Sequence, residues 1–220
     1  MKRIFFIGML ICGNVFAASY GDYDVRKVIS TSEEQGQYKA KVDILYLDKI
    51  TLDLSAHAGN YPPAFDSKED REKANRDIKQ LIDLFGILKD GGGNKEIMLR
   101  AAHVYSIAHN LDVPNAAERA KKLYELLISK NPEDPNIQYK YGVFLAGVGQ
   151  LNESLPYLNK ALSAGITDAN FSLGLVTLSQ GNMEKAREYI KKYIAINPKD
   201  VKSLRLLEAI ESGRVKFNKS

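Results

Sequence analysis

The sequence predicts an all-α solenoid of stacked helix-turn-helix units, with an N-terminal helical hairpin and a C-terminal capping helix. Three observations carry this prediction. Residues 131–200 fall on themselves when slid by 32 positions: Tyr141-Gly142 meets Leu173-Gly174, Gly149-Gln150-Leu151 meets Gly181-Asn182-Met183, and Leu158 meets Ile190. A fixed period in this range marks a stacked repeat. Each period also holds two runs whose apolar residues recur three and four apart, the spacing of amphipathic helices. Glycine and proline punctuate those runs where helices turn and stop.

The chain opens with Lys2 and Arg3, an apolar run from Ile4 to Cys12, and Val15-Phe16-Ala17. This is the pattern of a secretory signal peptide over 1–17, cleaved after Ala17 and too short to span a membrane. The expected product is a soluble periplasmic or secreted protein. Its only cysteine, Cys12, leaves with the leader, so no disulfide, thiol nucleophile or cysteine metal site is expected. Loss of Lys2 and Arg3 lowers the formal charge from +4 to +2, which is no nucleic-acid signature.

Residues 18–35 are polar and predict an irregular, mobile arm. The segment 37–58 fits two patterns. Tyr38, Val42, Leu45, Leu52 and Ala56 have helical spacing, whereas Val42, Ile44 and Tyr46 alternate. Its length and the lack of a central turn signal favour helix. Gly59-Asn60-Tyr61-Pro62-Pro63 breaks it. Ser67 and Asp70 form a capping-box variant that opens a second helix through Ile78, Leu81, Phe85 and Leu88. Gly91-Gly92-Gly93 ends the predicted hairpin, 36–93.

Residues 94–134 read as a stretched unit, with Ala102 and Ala120 small and Tyr124 large. Units 135–166 and 167–200 follow. In them Gly142 and Gly174 sit mid-helix, where glycine costs about 1 kcal/mol against alanine, and close approach of a neighbouring helix gives the reason. Gly149 and Gly181 suit left-handed turns. Ser154 and Ala186 keep the second helix thin, and Asn131-Pro132 and Asn197-Pro198 stop it. Leu204, Leu206, Leu207 and Ile210 should face back from a capping helix in 201–220, with Lys202, Arg205 and Glu208 in water.

At this spacing the small residue, turn glycine, second small residue and closing proline resemble the tetratricopeptide repeat (TPR). Gly142 and Gly174 match the small residue of its helix A, Gly149 and Gly181 its turn glycine, Ser154 and Ala186 the small residue of helix B, Leu158 and Ile190 its large apolar residue, and Pro198 its final proline. There are departures. Gln138 and Asn170 stand at the tryptophan-like position, and Tyr193 stands where alanine is usual.

The resemblance implies a TPR-type solenoid that binds a protein or peptide on the concave helix A face. Ligand contacts at the fifth and ninth helix A positions then fall on Leu99 and His103, Tyr139 and Val143, Phe171 and Leu175, and Arg205. The lining is apolar and aromatic, which suits a partner peptide or helix. The alternative is that the chain's own N-terminal helices fill this groove and make Tyr139 and Phe171 core.

No catalytic, cofactor or metal residues are predicted. His103 and His109 are six apart and lie on different helix faces, not on the i, i+4 pair of a metal site. His57 and Asp53 share a face, but no nucleophile motif accompanies them. The sequence therefore points to a non-enzymatic interaction module of the bacterial cell envelope. A structural subunit acting through its convex face, and a hydrolase built on His57, are the alternatives.

Overall fold

The computed structural model describes residues 19–34 and 37–215; the predicted leader lies outside them. The described chain divides into two compact units, one ending at Leu123 and the other beginning at Tyr124.

The first unit begins with a 3-10 turn, Val25–Val28, and two strands, β1 (Ile29–Glu34) and β2 (Gln37–Val42). The strands pair antiparallel from Ile29↔Val42 to Glu34↔Gln37. Helices α1 (Ile44–Ala58), α2 (Lys68–Ile87) and α3 (Lys95–Asn110) follow, then the start of α4 (Ala116–Lys130). Two expectations are corrected here. The segment 37–58 is not one helix: β2 takes its first six residues and α1 its last fifteen, with Asp43 between them. The strand ends before Asp43, whose side chain accepts the Tyr46 N–H and starts the helix, so Ile44 and Tyr46 are helical although they alternate with Val42. The arm over 18–35 is not irregular throughout, because β1 occupies part of it. Nor is its described part a loose tail, since Tyr20, Val25 and Val28 are buried.

The helix starts obey capping chemistry. Ser67 accepts the Asp70 N–H at 3.0 Å, as its box predicts, and Asn94 accepts the Glu96 and Ile97 N–H groups. Leu47, Ile50 and Leu54 of α1, Ile78, Leu81 and Phe85 of α2, and Val104 and Ile107 of α3 build the core of this unit. Between α2 and α3, Lys89 and Asp90 adopt positive φ, which is uncommon for residues with a Cβ. Asp90 is held there by the Tyr105 hydroxyl, which donates at 2.9 Å, and by Arg119 at 3.2 Å.

The second unit contains the end of α4 and α5 (Pro135–Gly147), α6 (Leu151–Ser163), α7 (Ala169–Ser179), α8 (Met183–Ile196) and α9 (Val201–Glu211). Successive helices pack as α5 on α6, α6 on α7, α7 on α8 and α8 on α9, while α5 also touches α7. This is the contact pattern of stacked hairpins. Gly149 and Gly181 have φ of 85° and 80°, as turn glycines should. Asp134 accepts the Asn136 and Ile137 N–H groups, with Pro135 in the first turn. Tyr124, Tyr141, Phe144 and Tyr157 form an aromatic cluster with centroid separations from 4.7 to 6.3 Å. Helix α9 buries Leu206, Ala209 and Ile210 against α8, with Leu207 partly covered. Leu204 was expected to face back but is 41% exposed; the buried stripe passes through Ser203 instead.

Candidate partner-binding face

On α3, Leu99 and His103 are both half-buried. His103 is engaged by the chain itself, its Nε2 lying 2.9 Å from Ser55 Oγ of α1. Two further ties bind α1 to α3. Arg100 grips Asp48 through two nitrogens at 2.7 and 2.8 Å, and the Asn110 side-chain amide donates to the Ala58 carbonyl at 2.9 Å. A bidentate guanidinium–carboxylate pair fixes orientation as well as distance. Helix α1 therefore already sits beside the α3 positions that sequence reasoning assigned to a partner.

In the second unit, Tyr139 and Val143 lie on α5, Phe171 and Leu175 on α7, and Arg205 on α9. Val143 is 40% exposed, and the other four are half-buried. Phe171 is not free-standing. Its ring lies 5.2 Å from that of Tyr193 on α8 and packs, with Leu175, on the cluster of Ala186, Ile190 and Leu206. Tyr139 packs instead on the cluster of Leu158, Leu173 and Val176.

Three polar residues surround these rings. Burial pushes the Tyr139 phenol above its ordinary range; the Ser172 side chain opposes that shift, and the Asp168 carboxylate reinforces it. The Tyr193 phenol is raised by burial and by Asp200, Asp168 and Tyr139. Asp168 and Asp200 stand at the starts of α7 and α9, where a carboxylate favours the helix N-terminus. Tyr193, Asp168, Ser172 and Asp200 were missed as members of this face. Tyr193 carried a signal, since it replaces the small residue the repeat pattern expects. The carboxylates carried none beyond ordinary helix capping.

His57 and Asp53 do meet, with Nδ1 3.2 Å from Oδ1 and 2.9 Å from the Asp53 carbonyl. The other carboxylate oxygen of Asp53 accepts the Gly21 N–H and the Tyr23 hydroxyl, and the imidazole stacks on Phe65 at 5.5 Å. The pair ties down the N-terminal segment.

A family model of the tetratricopeptide repeat matches residues 167–200, the unit formed by α7 and α8. The unit of α7 and α8 is a tetratricopeptide repeat. The crystal structure of MamA is similar to this chain with 22% identity and a TM-score of 0.50, covering 67% of this chain and 80% of that one. The crystal structure of YrrB, described as a TPR protein with an unusual peptide-binding site, aligns at 16% identity and a TM-score of 0.43, covering 75% of this chain and 85% of that one. No curated protein matches the sequence. The TPR fold supports a role as a protein–protein interaction module with a protein or peptide partner.

Proposed function

We propose that this TPR protein is exported to the cell envelope, where it acts without catalysis by docking a partner peptide or helix on the helix A face of its second unit. The supporting observation is the exposed Val143, one turn from the half-buried Tyr139 on α5, with the half-buried Leu175 on the touching helix α7. Apolar positions on helices that touch, α5 and α7, offer anchors for side chains of a ligand. Export rests on the leader-like pattern of 1–17.

Val143→Glu is the probe, because Val143 can accept a charge without displacing core. The experiment captures envelope proteins on residues 18–220, in wild-type and Val143→Glu forms, and follows both by circular dichroism melting. A specific partner retained by wild type and lost from the variant at an unchanged melt supports this face. An unchanged partner set sinks it and moves the search to the helix B side. Export is tested separately by N-terminal sequencing of the protein recovered from cells. A mature N-terminus at Ala18 supports it, and an intact Met1 overturns it.

A further inference from the structure

Residues Tyr20 to Val28 lie in the first unit as a bound ligand would. The Tyr20 hydroxyl donates to Asp77 Oδ2 of α2 at 3.1 Å. The Gly21 N–H and the Tyr23 hydroxyl both donate to Asp53 Oδ2 of α1, at 2.9 and 2.7 Å. The Asp24 N–H donates to the Tyr46 hydroxyl of α1 at 3.1 Å, and Asp22 lies 3.7 Å from Arg76 of α2. Tyr20 is 2% exposed and sits edge-on to His57 and Phe65. Val25 and Val28 are buried, and their 3-10 turn touches both α1 and α2. Side-chain anchors at intervals, with main-chain N–H groups taken up between them, are how a groove recognises an extended peptide.

We infer that the cleft formed by α1 and α2 is a peptide-binding site. It holds this chain's own Tyr20–Val28 in cis and accepts the same segment from a second copy. The ligand pattern is tyrosine at the first and fourth positions and valine at the sixth and ninth. The pairing of β1 with β2 is what must open to release the arm. The segment joins β1 at Val28, and the hairpin base closes there through the Asp43 N–H, which donates to the Val28 carbonyl at 2.8 Å. Ser30 to Glu33 of β1 are open to solvent. If the two strands separate, β1 of one copy pairs with β2 of the other in the same register, and the arm contacts re-form between copies. Exchange of an identical element is a low-cost route to a dimer.

The probe is a fluorescent peptide of residues 18–28, titrated against residues 18–220, a chain that contains every described residue. In wild type the tethered arm competes at the high effective concentration of an intramolecular ligand. A Tyr20→Ala, Val25→Ala chain has a weakened arm and is expected to bind the peptide about tenfold more tightly than wild type does. Adding Asp53→Asn to that chain should abolish binding. Failure of the peptide to bind while the variant keeps its helical circular dichroism overturns the site.

Amide exchange on wild type gives a decision even where the variant fails to fold. Gly21 and Asp24 should exchange faster than Leu54 and Leu81, through release of the arm alone. Exchange of all four at one rate would make the arm permanent core and sink the inference. Light scattering of concentrated wild type addresses the second copy. A dimer fraction that excess peptide dissociates is expected, and a monomer at every concentration overturns arm exchange.

Discussion

Gly174 and Ile190 stand so close that a Cβ on the glycine would meet the isoleucine Cδ1 at 2.6 Å and its Cγ1 at 2.9 Å. One unit earlier, a Cβ on Gly142 would meet the Leu158 side chain at 2.8 Å and its backbone nitrogen at 3.1 Å. The same contact is thus made twice, at equivalent places. Alanine at either site gains about 1 kcal/mol of helix propensity, whereas overpacking a tight core costs about 1–3 kcal/mol. At Gly142 part of the obstacle is backbone, which cannot step aside. Gly142→Ala is therefore expected to lower stability by about 1–2 kcal/mol. Gly174→Ala should cost less, because the flexible end of Ile190 can give. Urea unfolding of the two variants checks the order, and equal or reversed losses would refute the backbone argument.

Phe171 and Val143 should separate core from surface. Removing a fully buried phenylalanine ring typically costs about 3–5 kcal/mol, and half-burial reduces this, so Phe171→Ala is expected to lose about 2 kcal/mol. The exposed Val143 should lose under about 0.5 kcal/mol as alanine. Thermal melts of both variants, compared at equal concentration, measure the difference. Similar melts would mean that the Phe171–Tyr193 contact contributes little.

Burial pushes the Asp77 carboxyl above the usual 3.8, while Arg76 and the Tyr20 hydroxyl pull it back. A folded-state pKa above the unfolded one means that the folded state holds this proton more tightly. Its stabilisation is fully present below about pH 3.9 and is lost as pH rises through the folded value. The stability of Asp77→Asn relative to wild type should therefore fall as pH drops from 7 toward 4. Urea unfolding at several pH values follows that difference, and a rising difference would contradict the sign.

Asp53 serves two donors through one oxygen, the Gly21 N–H and the Tyr23 hydroxyl. Asp53→Ala leaves both without their partner, at a cost of about 1–3 kcal/mol for a buried donor. The expected loss is confined to the first unit and appears as faster amide exchange at Gly21. His57→Ala should disturb the same packing through Phe65 and Tyr20. Protection of Gly21 unchanged in both variants would mean that this polar cluster does not hold the arm.

The repeat half of the fold was legible because its punctuation is chemical. Gly142, Gly149, Gly174 and Gly181 each answer to one steric demand, and a period of 32 repeats that demand in register. The N-terminal region has no second copy against which to check itself. Val42, Ile44 and Tyr46 satisfy alternation, while Leu45 and Leu52 satisfy helical spacing yet are largely exposed on α1. Residues apart from the true apolar face thus argued for a helix that begins later. Tyr20 is held by Asp77, and the Val25–Val28 turn packs on α1 and α2, partners distant in sequence, so no local pattern announced their burial.

The candidate face was legible only in part, for a similar reason. Helix position placed Tyr139, Val143, Phe171 and Leu175 on their proper helices. It could not show that Phe171 would lean on Tyr193, because that contact joins two helices of one unit through a residue that breaks the pattern. Nor could it show Ser55 reaching His103 from 48 positions away.

Gln138 and Asn170 occupy equivalent places in consecutive units, and each ties a nearby loop carbonyl through its amide N–H, Pro132 and Thr167 respectively. Their side-chain oxygens, Gln138 Oε1 and Asn170 Oδ1, are buried and accept from no protein donor among the described residues. A buried acceptor that no protein donor reaches lowers stability, and an apolar residue of similar shape can remove that deficit. The array therefore carries the same reserve twice, at sites where heat tolerance could be raised by sequence change alone, one unit at a time.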